Sequence, residues 1–363
     1  MGTMAEVHGP PLEVDGVPLQ DILEGAHVSD LFNCARINAL WEEAVLPILG
    51  RKLRVSALVQ DQLRDGTDPK KVAEELRSRL AIAEKASKRP SFALILCADK
   101  HYDTSMIARC FTEDVSVVQM DVQSTVTVQR LGVKGRWDTS VCVLVFFETP
   151  GVAFECEWSP YVECGVPAST AALFDTLKRS IPLGGGEEVH RHRNTGLPAR
   201  FALYITSSFT TGVLFKRSPS LYGIGASVLW TPRLRVYHNV SGEGPPAHAF
   251  WGALAFGENM TTKCLKYAGW TTVYQLWKHL ETFREGLGDI SDVVVLFFQE
   301  GELKLSVIQT ICLAFTEAAY VVGTSCSLDL DTNPFAFGLE PGGDTQTAIC
   351  LQTPVIVLVA AIR

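Results

Sequence analysis

The chain has 363 residues, of which 47 % are hydrophobic and 20 % charged, and its formal net charge is −8 at pH 7. This length and composition indicate a globular protein with an ample core, arranged as one large domain or two of ordinary size. The net negative charge argues against a general nucleic-acid coat or a binder of anionic membranes, and leaves only a local basic patch open.

The ten cysteines form no CxxC pair and lie mostly within apolar runs. This pattern favours reduced, buried thiols in the cytosol or nucleus over a disulfide framework. The first residues carry no apolar segment of the secretory type, and the longest apolar runs are too short or too interrupted to span a bilayer. We therefore expect an intracellular protein without a membrane span.

The first quarter of the chain predicts a helical layer. Residues 1–16 are expected to be disordered. Apolar residues at near-helical spacing predict two helices within 19–46, and Pro47 is expected to interrupt the second. A short strand is expected at 54–59.

A strong helix signal follows. Asp68 is the expected N-cap and Pro69 the first helical residue, and the helix should end before Pro90. The apolar run 91–97 then predicts a buried strand, and the alternating run 115–129 predicts one long strand or two.

Residues 141–158 predict a β-hairpin. An apolar arm, 141–147, leads into a Thr149-Pro150-Gly151 turn, and an alternating arm follows. The first arm is apolar on both faces, so it should be a central, covered strand. The second arm should place one set of alternating side chains on a single face: Val152, Phe154, Cys156 and Trp158.

The same pattern recurs at 226–240, with a Thr231-Pro232 turn, and at 293–307, with a Glu300-Gly301 turn. Three strand–turn–strand–helix units predict a repeated module. The alternative is coincidence, because hairpins followed by helices are common in α+β proteins. The helices expected after the three copies lie at 169–180, 247–256 and 309–322.

Glycine and charge between residues 184 and 196 predict a linker. We therefore expect two tandem α+β domains, 1–186 and 197–363, joined by 187–196. The second domain opens with a strand at 199–207 that shares Phe-Ala-Leu with the strand at 91–97, which favours related halves. An amphipathic helix at 271–286, a Gly- and Pro-rich loop at 329–344 and strands within 347–362 complete the second domain.

No common catalytic motif is present: the sequence lacks GxxxxGK[ST], GxSxG and HExxH. The most chemically loaded run is His190-Arg191-His192-Arg193. Its imidazoles could share a metal, but no third ligand is near in sequence. We interpret the run as an exposed basic linker, with a partner- or RNA-contacting patch as the alternative. His190, Arg191, His192 and Arg193 are thus candidate partner-binding residues, and no catalytic, cofactor or metal site is predicted.

Two other groups of residues contain potentially reactive or metal-binding side chains. His101, Asp103 and Cys110 could form a nucleophile site, although a helix cap at Asp103 and a core thiol at Cys110 explain these residues more simply. The acidic run 329–333 resembles the start of a calcium loop, but the later Gly and Glu that such a loop needs are displaced.

An apolar strand, a short turn, a second strand and an apolar helix together resemble the hydrophobic motif of the US-twenty-two family of betaherpesvirus proteins, part of the SUKH superfamily. The matching residues in the first copy are Val143-Leu144-Val145, Gly151-Val152 and Phe174. Those in the second copy are Val228-Leu229, Val236-Tyr237 and Phe250 to Phe256. Two copies per chain also resemble this family.

The resemblance implies a herpesvirus tegument or infected-cell protein that binds host antiviral factors in the cytoplasm or nucleus. It implies no catalytic residue. A non-enzymatic interaction protein with host or viral protein partners is therefore the expected function. The alternatives are a hydrolase or nuclease whose site is assembled only in three dimensions, and a structural virion component.

Overall fold

The computed structural model is a mixed α+β protein, as the sequence predicts. The structure describes the residues named in the following list, and statements of absence refer to them alone. They are 13–14, 17–61, 68–99, 102–128, 136–137, 139–160, 196–197, 199–206, 226–230, 234–237, 248–267, 271–287, 292–315, 320–325, 327–328 and 355–362.

Three helices open the described chain: α1 (Leu19–Glu24), α2 (Val28–Cys34) and α3 (Ala39–Lys52). Asn38 caps α3 by accepting from the Leu40 and Trp41 amides at 3.0 and 3.1 Å. Pro47 lies inside α3, so the prediction that it ends the helix is wrong. Residues 13–14 pair with 17–18 as β1 (Glu13–Val14) and β2 (Val17–Pro18). The prediction of disorder is therefore wrong for residues 13–14.

The next helix, α4 (Pro69–Lys85), begins as predicted, with the Asp68 carboxylate accepting from the Lys70 amide at 3.0 Å. A single turn, α5 (Ser105–Ala108), follows later. Two more helices, α6 (Val273–Leu287) and α7 (Leu305–Ala314), lie near the end of the chain. Thr272 and Gln275 form a reciprocal capping box at the start of α6.

Four strands of the first sheet form a group that we call unit 1. Its strands are β3 (Val55–Asp61), β4 (Pro90–Cys97), β5 (Ser116–Asp121) and β8 (Thr139–Phe147). β8 lies between β3 and β4 and is antiparallel to both, and β4 is parallel to β5. The spatial order is therefore first, fourth, second, third. α4 connects the first strand to the second, and α5 lies between the second and the third.

The same order occurs twice more. Unit 2 consists of β9 (Val152–Pro160), β10 (Ala199–Thr206), β11 (Ala226–Trp230) and β13 (His248–Gly257), paired as β9-β13-β10-β11. Unit 3 consists of β14 (Met260–Tyr267), β15 (Asp292–Gln299), β16 (Tyr320–Ser325) and β18 (Val355–Ile362), paired as β14-β18-β15-β16. In every unit the second and third strands are parallel and the other pairings antiparallel.

A short strand follows the third strand of each unit and joins another unit. β6 (Ser124–Val128) pairs with β16, β12 (Leu234–Tyr237) pairs with β5, and β17 (Ser327–Leu328) pairs with β11. Another short strand, β7 (Arg136–Trp137), extends the sheet beyond β6. Unit 1 thus contributes to unit 3, unit 3 to unit 2 and unit 2 to unit 1. The three sheets form a closed ring with an approximate threefold repeat.

The ring separates a central core from outer cores. Side chains from all three units meet in the centre, among them Leu94, Met120, Ile205, Phe298 and Val322. The helices pack on the opposite faces of the sheets. α1 to α5 cover unit 1, and α6 and α7 cover unit 3. Each described sheet of units 1 and 3 is therefore covered on both faces, which explains the nearly continuous apolar runs of β4, β8 and β15.

Two of the three predicted hairpins are wrong in the same way. The Thr149-Pro150-Gly151 turn is present, with the Val152 amide donating to the Thr149 carbonyl at 3.0 Å and Gly151 at φ +73°. Beyond that turn, however, β8 and β9 lie in different sheets. The same is true of β11 and β12. These connections are corners between sheets, which the local pattern of a turn between apolar arms cannot distinguish from hairpins.

Two predicted helices and one strand also need correction. Residues 248–257 form β13 where a helix was expected, and 305–314 form α7 where the third hairpin arm was expected. The residues 309–322 are helical only to 314, and β16 begins at 320. Short apolar runs fit a buried strand or a buried helix equally well, so periodicity alone misassigned them.

The expected two-domain division also conflicts with the pairing. β9, which precedes the expected linker, pairs with β13, which follows it. β5 and β6, also from the first half, pair with β12 and β16 from the second. The halves share all three large sheets, so they do not form separate tandem domains. The linker at 187–196 and the helix expected at 169–180 lie mainly or wholly outside the described residues.

Candidate functional site

Polar residues converge where β5 meets β12, at the junction of units 1 and 2. Gln119 and Asp121 lie at alternate positions of β5, and Gln119 is paired with Arg235 of β12. Thr104 precedes α5, and Tyr237 ends β12. We call this group the polar seam: Cys97, Thr104, Gln119, Asp121, Arg235 and Tyr237.

Hydrogen bonds link the polar seam across more than a hundred residues of sequence. The Tyr237 hydroxyl donates to Gln119 Oε1 at 2.9 Å and lies 2.8 Å from Thr104 Oγ1. Thr104 also hydrogen-bonds to Gln119 Oε1. The Gln119 amide donates in turn to Asp121 Oδ1 at 2.7 Å. Unit 2 is therefore tied to unit 1 by side chains as well as by the strand ladder.

The polar seam is closed to solvent. Thr104 is fully buried, and Gln119, Tyr237 and Asp121 are no more than 5 % exposed. Arg235 is only partly buried and marks the side nearest solvent. Buried polar groups that satisfy one another fix a unique packing, whereas an enzyme site needs a path for its substrate. The polar seam therefore fixes the packing of unit 2 against unit 1.

Burial favours the neutral forms of two ionisable groups of the polar seam, the Cys97 thiol and the Tyr237 hydroxyl. Burial and the nearby Asp121 carboxylate raise the pKa of the Cys97 thiol to about 12. Burial also raises the pKa of Tyr237, while hydrogen bonds from Thr104 and Arg235 oppose that rise. A protonated thiol is a weak nucleophile. Cys97 is buried beside a carboxylate, whereas reactive cysteines lie in electropositive, accessible surroundings.

The sequence-derived site residues have different outcomes. His190, Arg191, His192 and Arg193 lie outside the described residues, as does His101. Asp103 caps the turn at α5 by accepting from the Ser105 amide at 3.0 Å. The Ser105 side-chain hydrogen bond is the largest cause of the lowered pKa of Asp103, and the amide bond lowers that pKa further. The Cys110 thiol donates to the carbonyls of Ala73 and Met106 on the helical side of unit 1, which fits a core thiol.

Sequence reasoning missed the polar seam. Its one local signal is a pair of polar residues, Gln119 and Asp121, spaced two apart in an otherwise apolar strand. The sequence distinguishes their partner Tyr237 only as the tyrosine of the Val236-Tyr237 pair in the family resemblance. No pattern could place Tyr237 beside Gln119, because 118 residues separate them.

Within the described part of the chain, no group of three or more His, Cys, Asp or Glu side chains is placed to hold a metal ion. Six cysteines are free thiols there: Cys34, Cys97, Cys110, Cys142, Cys156 and Cys312. None of the helices that the structure describes combines the length and apolarity needed to cross a bilayer.

Large apolar side chains are exposed on two parts of the helical layer. Ile37 and Leu40 lie at the corner between α2 and α3, exposed by 58 % and 55 %. On unit 3, Leu305 and Leu313 of α7 are exposed by 52 % and 59 %, and Tyr274 of α6 by 65 %. We call these the α2–α3 surface and the α6–α7 surface. Exposed apolar groups of this kind are typical of binding surfaces when they cluster.

Comparison with known proteins leaves the family open. No protein-family model matches the chain, and no curated protein matches it. Among solved structures, the chain is similar to a cyanuric acid hydrolase from A. caulinodans at 11 % identity and a TM-score of 0.41. That match covers 85 % of this chain and 99 % of the other.

Proposed function

We propose that the chain is a non-catalytic binding protein of virus-infected cells that engages host antiviral factors through its helical layer. The observation that carries the proposal is the exposure of large apolar side chains on the α2–α3 and α6–α7 surfaces. The resemblance to the US-twenty-two family supports the viral setting, with the host cytoplasm or nucleus, or the virion tegument, as its location.

The α6–α7 surface is formed by two helices that run in the same direction. Both helices connect parallel strands of unit 3, because β14 and β15 are each antiparallel to β18 and β15 is parallel to β16. The two helices therefore run in the same direction, and Tyr274 and Leu305 lie in their first turns. Leu305 and Leu313 are two turns apart on α7, with exposed Gln309 between them. Aromatic and aliphatic side chains presented in this way suit a protein partner.

The test is suppression of an antiviral-response reporter in human cells that express the protein. The wild type should lower the reporter signal in proportion to its amount, because each molecule of a binding protein occupies only one molecule of its target. Leu305→Glu with Leu313→Glu, and Ile37→Glu with Leu40→Glu, test the two surfaces separately. Loss of suppression by at least one folded variant is expected. An inactive wild type, or full activity in both variants, would refute the proposal.

An enzyme is the second candidate, because the polar seam gathers Cys97, Asp121 and Tyr237 from distant parts of the chain. Tyr237→Phe and Cys97→Ala separate the two functions. A binder should keep suppression proportional to the amount of folded variant. If either variant stays folded and abolishes suppression that the wild type produces at substoichiometric amounts, the enzyme becomes the better explanation.

A further inference from the structure

Lys88 is buried at a helix end where an apolar side chain is usual. After α4 the Lys88 amide donates to the Ala83 carbonyl at 2.8 Å, and the Ser87 amide donates to the Glu84 carbonyl at 2.9 Å. Ser87 has a φ of +57°. These features define a Schellman motif, whose residue at the Lys88 position commonly packs against the helix through apolar atoms. Lys88 is nevertheless a cation, and it is 8 % exposed.

The Lys88 ammonium has one protein acceptor among the described residues. It donates to the Glu148 carbonyl at 3.3 Å. An ammonium group carries three N–H donors, and a buried charge without matching partners is costly. Burial lowers the pKa of Lys88, the charge of Arg54 lowers it further, and the Glu148 carboxylate opposes both.

Arg54 lies beside Lys88 because the strand ends adjoin. The Arg54 carbonyl accepts from the Phe147 amide at 2.8 Å, one residue before Glu148. The Arg54 Nε is buried, and no described group accepts a hydrogen bond from it. The guanidinium otherwise reaches only the Leu53 carbonyl, at 3.5 Å. Two neighbouring cations thus have one carboxylate nearby, and the Glu148 residue that carries it is exposed.

We propose that Lys88 and Arg54 form a binding site for a tetrahedral oxyanion, a phosphate group or sulfate. An oxyanion supplies the negative charge and the acceptor atoms that the two donors lack. Arginine and lysine are the side chains most used to bind phosphate, the first through its planar fork and the second as a point charge.

The oxyanion site is independent of the polar seam. It lies at the Pro90 end of β4, whereas Cys97 of the polar seam lies at the other end of this strand of 8 residues. At the usual rise per residue, the two ends are about 23 Å apart. Substitutions in one location should therefore leave the other intact.

The experiment measures thermal unfolding of the full chain against inorganic phosphate, with sodium chloride at matched ionic strength as reference. Phosphate should raise the Tm saturably. At ten times its Kd it should lower the unfolding constant about elevenfold, because it binds only the folded state. Lys88→Met should abolish this response, and Arg54→Met should do the same. Methionine suits the apolar environment, so both variants are expected to fold.

Lys71→Met is the matched control, because it removes one positive charge from the exposed N-terminal part of the same helix. It should respond to phosphate as the wild type does. Equal Tm shifts with phosphate and with chloride, or an unchanged phosphate response in Lys88→Met, would overturn the proposal. A phosphoserine peptide and its unphosphorylated form then distinguish the source of the anion. Tighter binding than inorganic phosphate indicates a phosphorylated side chain, and weaker binding indicates a free anion.

Discussion

Two junctions in this molecule have the same backbone pairing and differ in the side chain at one equivalent position. At the polar seam, Gln119 of unit 1 pairs with Arg235 from unit 2. At the equivalent place, Gly323 of unit 3 pairs with Val126 from unit 1. We call this second junction the glycine seam. A strand ladder needs only backbone groups, so the ring can close identically while the side chains at each junction differ.

The neighbouring strand explains the difference. Phe297 pairs with Gly323, and a Cβ on that glycine would lie 1.9 Å from the Phe297 ring. The ring therefore occupies the space above the glycine. In unit 1 the equivalent residue is Ile95, paired with Gln119. The shorter isoleucine leaves room for the glutamine, which then reaches Tyr237. One position holds a buried amide network and the other an aromatic ring on bare backbone.

The largest expected effect is at the glycine seam. Gly323→Ala should destabilise the chain by about 3 kcal/mol, because the new methyl group must displace the fully buried Phe297 ring. Urea unfolding measures the loss. Gly286→Ala is the matched control, since a Cβ there meets nothing within 4 Å. It lies in α6 and should be neutral or slightly stabilising. Equal effects of the two alanines would mean that Phe297 does not pack on Gly323.

The next effect is at the polar seam. Tyr237→Phe keeps the ring and removes the hydroxyl, which leaves Thr104 and Gln119 short of a partner in a buried site. Such a loss costs about 2 kcal/mol. Tyr274→Phe, at a residue 65 % exposed, should be nearly neutral.

Because strands from both halves share sheets, Tyr237→Phe should shift a single unfolding transition. Separate transitions for the two halves would restore the two-domain prediction.

The comparison also shows which features the sequence could predict. Strong local signals succeeded: the Asp68-Pro69 start of α4, the buried strand β4 and the amphipathic α6. The shared Phe-Ala-Leu is meaningful, because β4 and β10 are equivalent strands, each paired in parallel with a strand 24 residues later. The threefold ring was not predictable, because a corner between sheets and a hairpin share the same turn chemistry.

The candidate site was less predictable than the fold. Gln119 and Tyr237 have no unusual local pattern in their own strands. They come into contact only because β5 of unit 1 pairs with β12 of unit 2. Lys88 is similar, since its sequence neighbours are charged and resemble an ordinary solvated helix end. Burial of a polar side chain is set by tertiary packing, and a local pattern does not carry that information.

Alkaline pH should remove the stability that the protonated Cys97 thiol contributes at the polar seam. Burial raises the pKa of the Cys97 thiol from its ordinary value near 9 to about 12. The folded state therefore holds this proton more tightly than the unfolded state. The associated stability is complete below pH 9 and is lost as the pH rises towards 12, by about 1 kcal/mol per pH unit. Gln299 occupies the equivalent position in unit 3 and does not ionise.

Urea unfolding between pH 7 and pH 10.5 measures this loss. Cys97→Ala should be less stable at neutral pH, because it leaves a cavity, and should lose less stability between pH 9 and pH 10.5 than the wild type. Below pH 8 the two stability curves should run parallel, which is the internal control. Parallel curves over the whole range would show that the thiol does not titrate differently on folding.

The smallest expected effect is a gain in stability at the end of α4. The equivalent helix of unit 3, α6, carries Gly286 in its last turn, whereas α4 is followed by Ser87 in the left-handed region at φ +57°. Glycine adopts that conformation without the steric cost that a Cβ imposes. Ser87→Gly should therefore stabilise the chain by about 0.5 kcal/mol, after the greater freedom of glycine in the unfolded state is counted. Ser87→Ala keeps the Cβ and should give no gain. Thermal unfolding of both variants decides, and an equal gain from alanine would show that the serine hydroxyl, and not the backbone conformation, limits stability at this helix end.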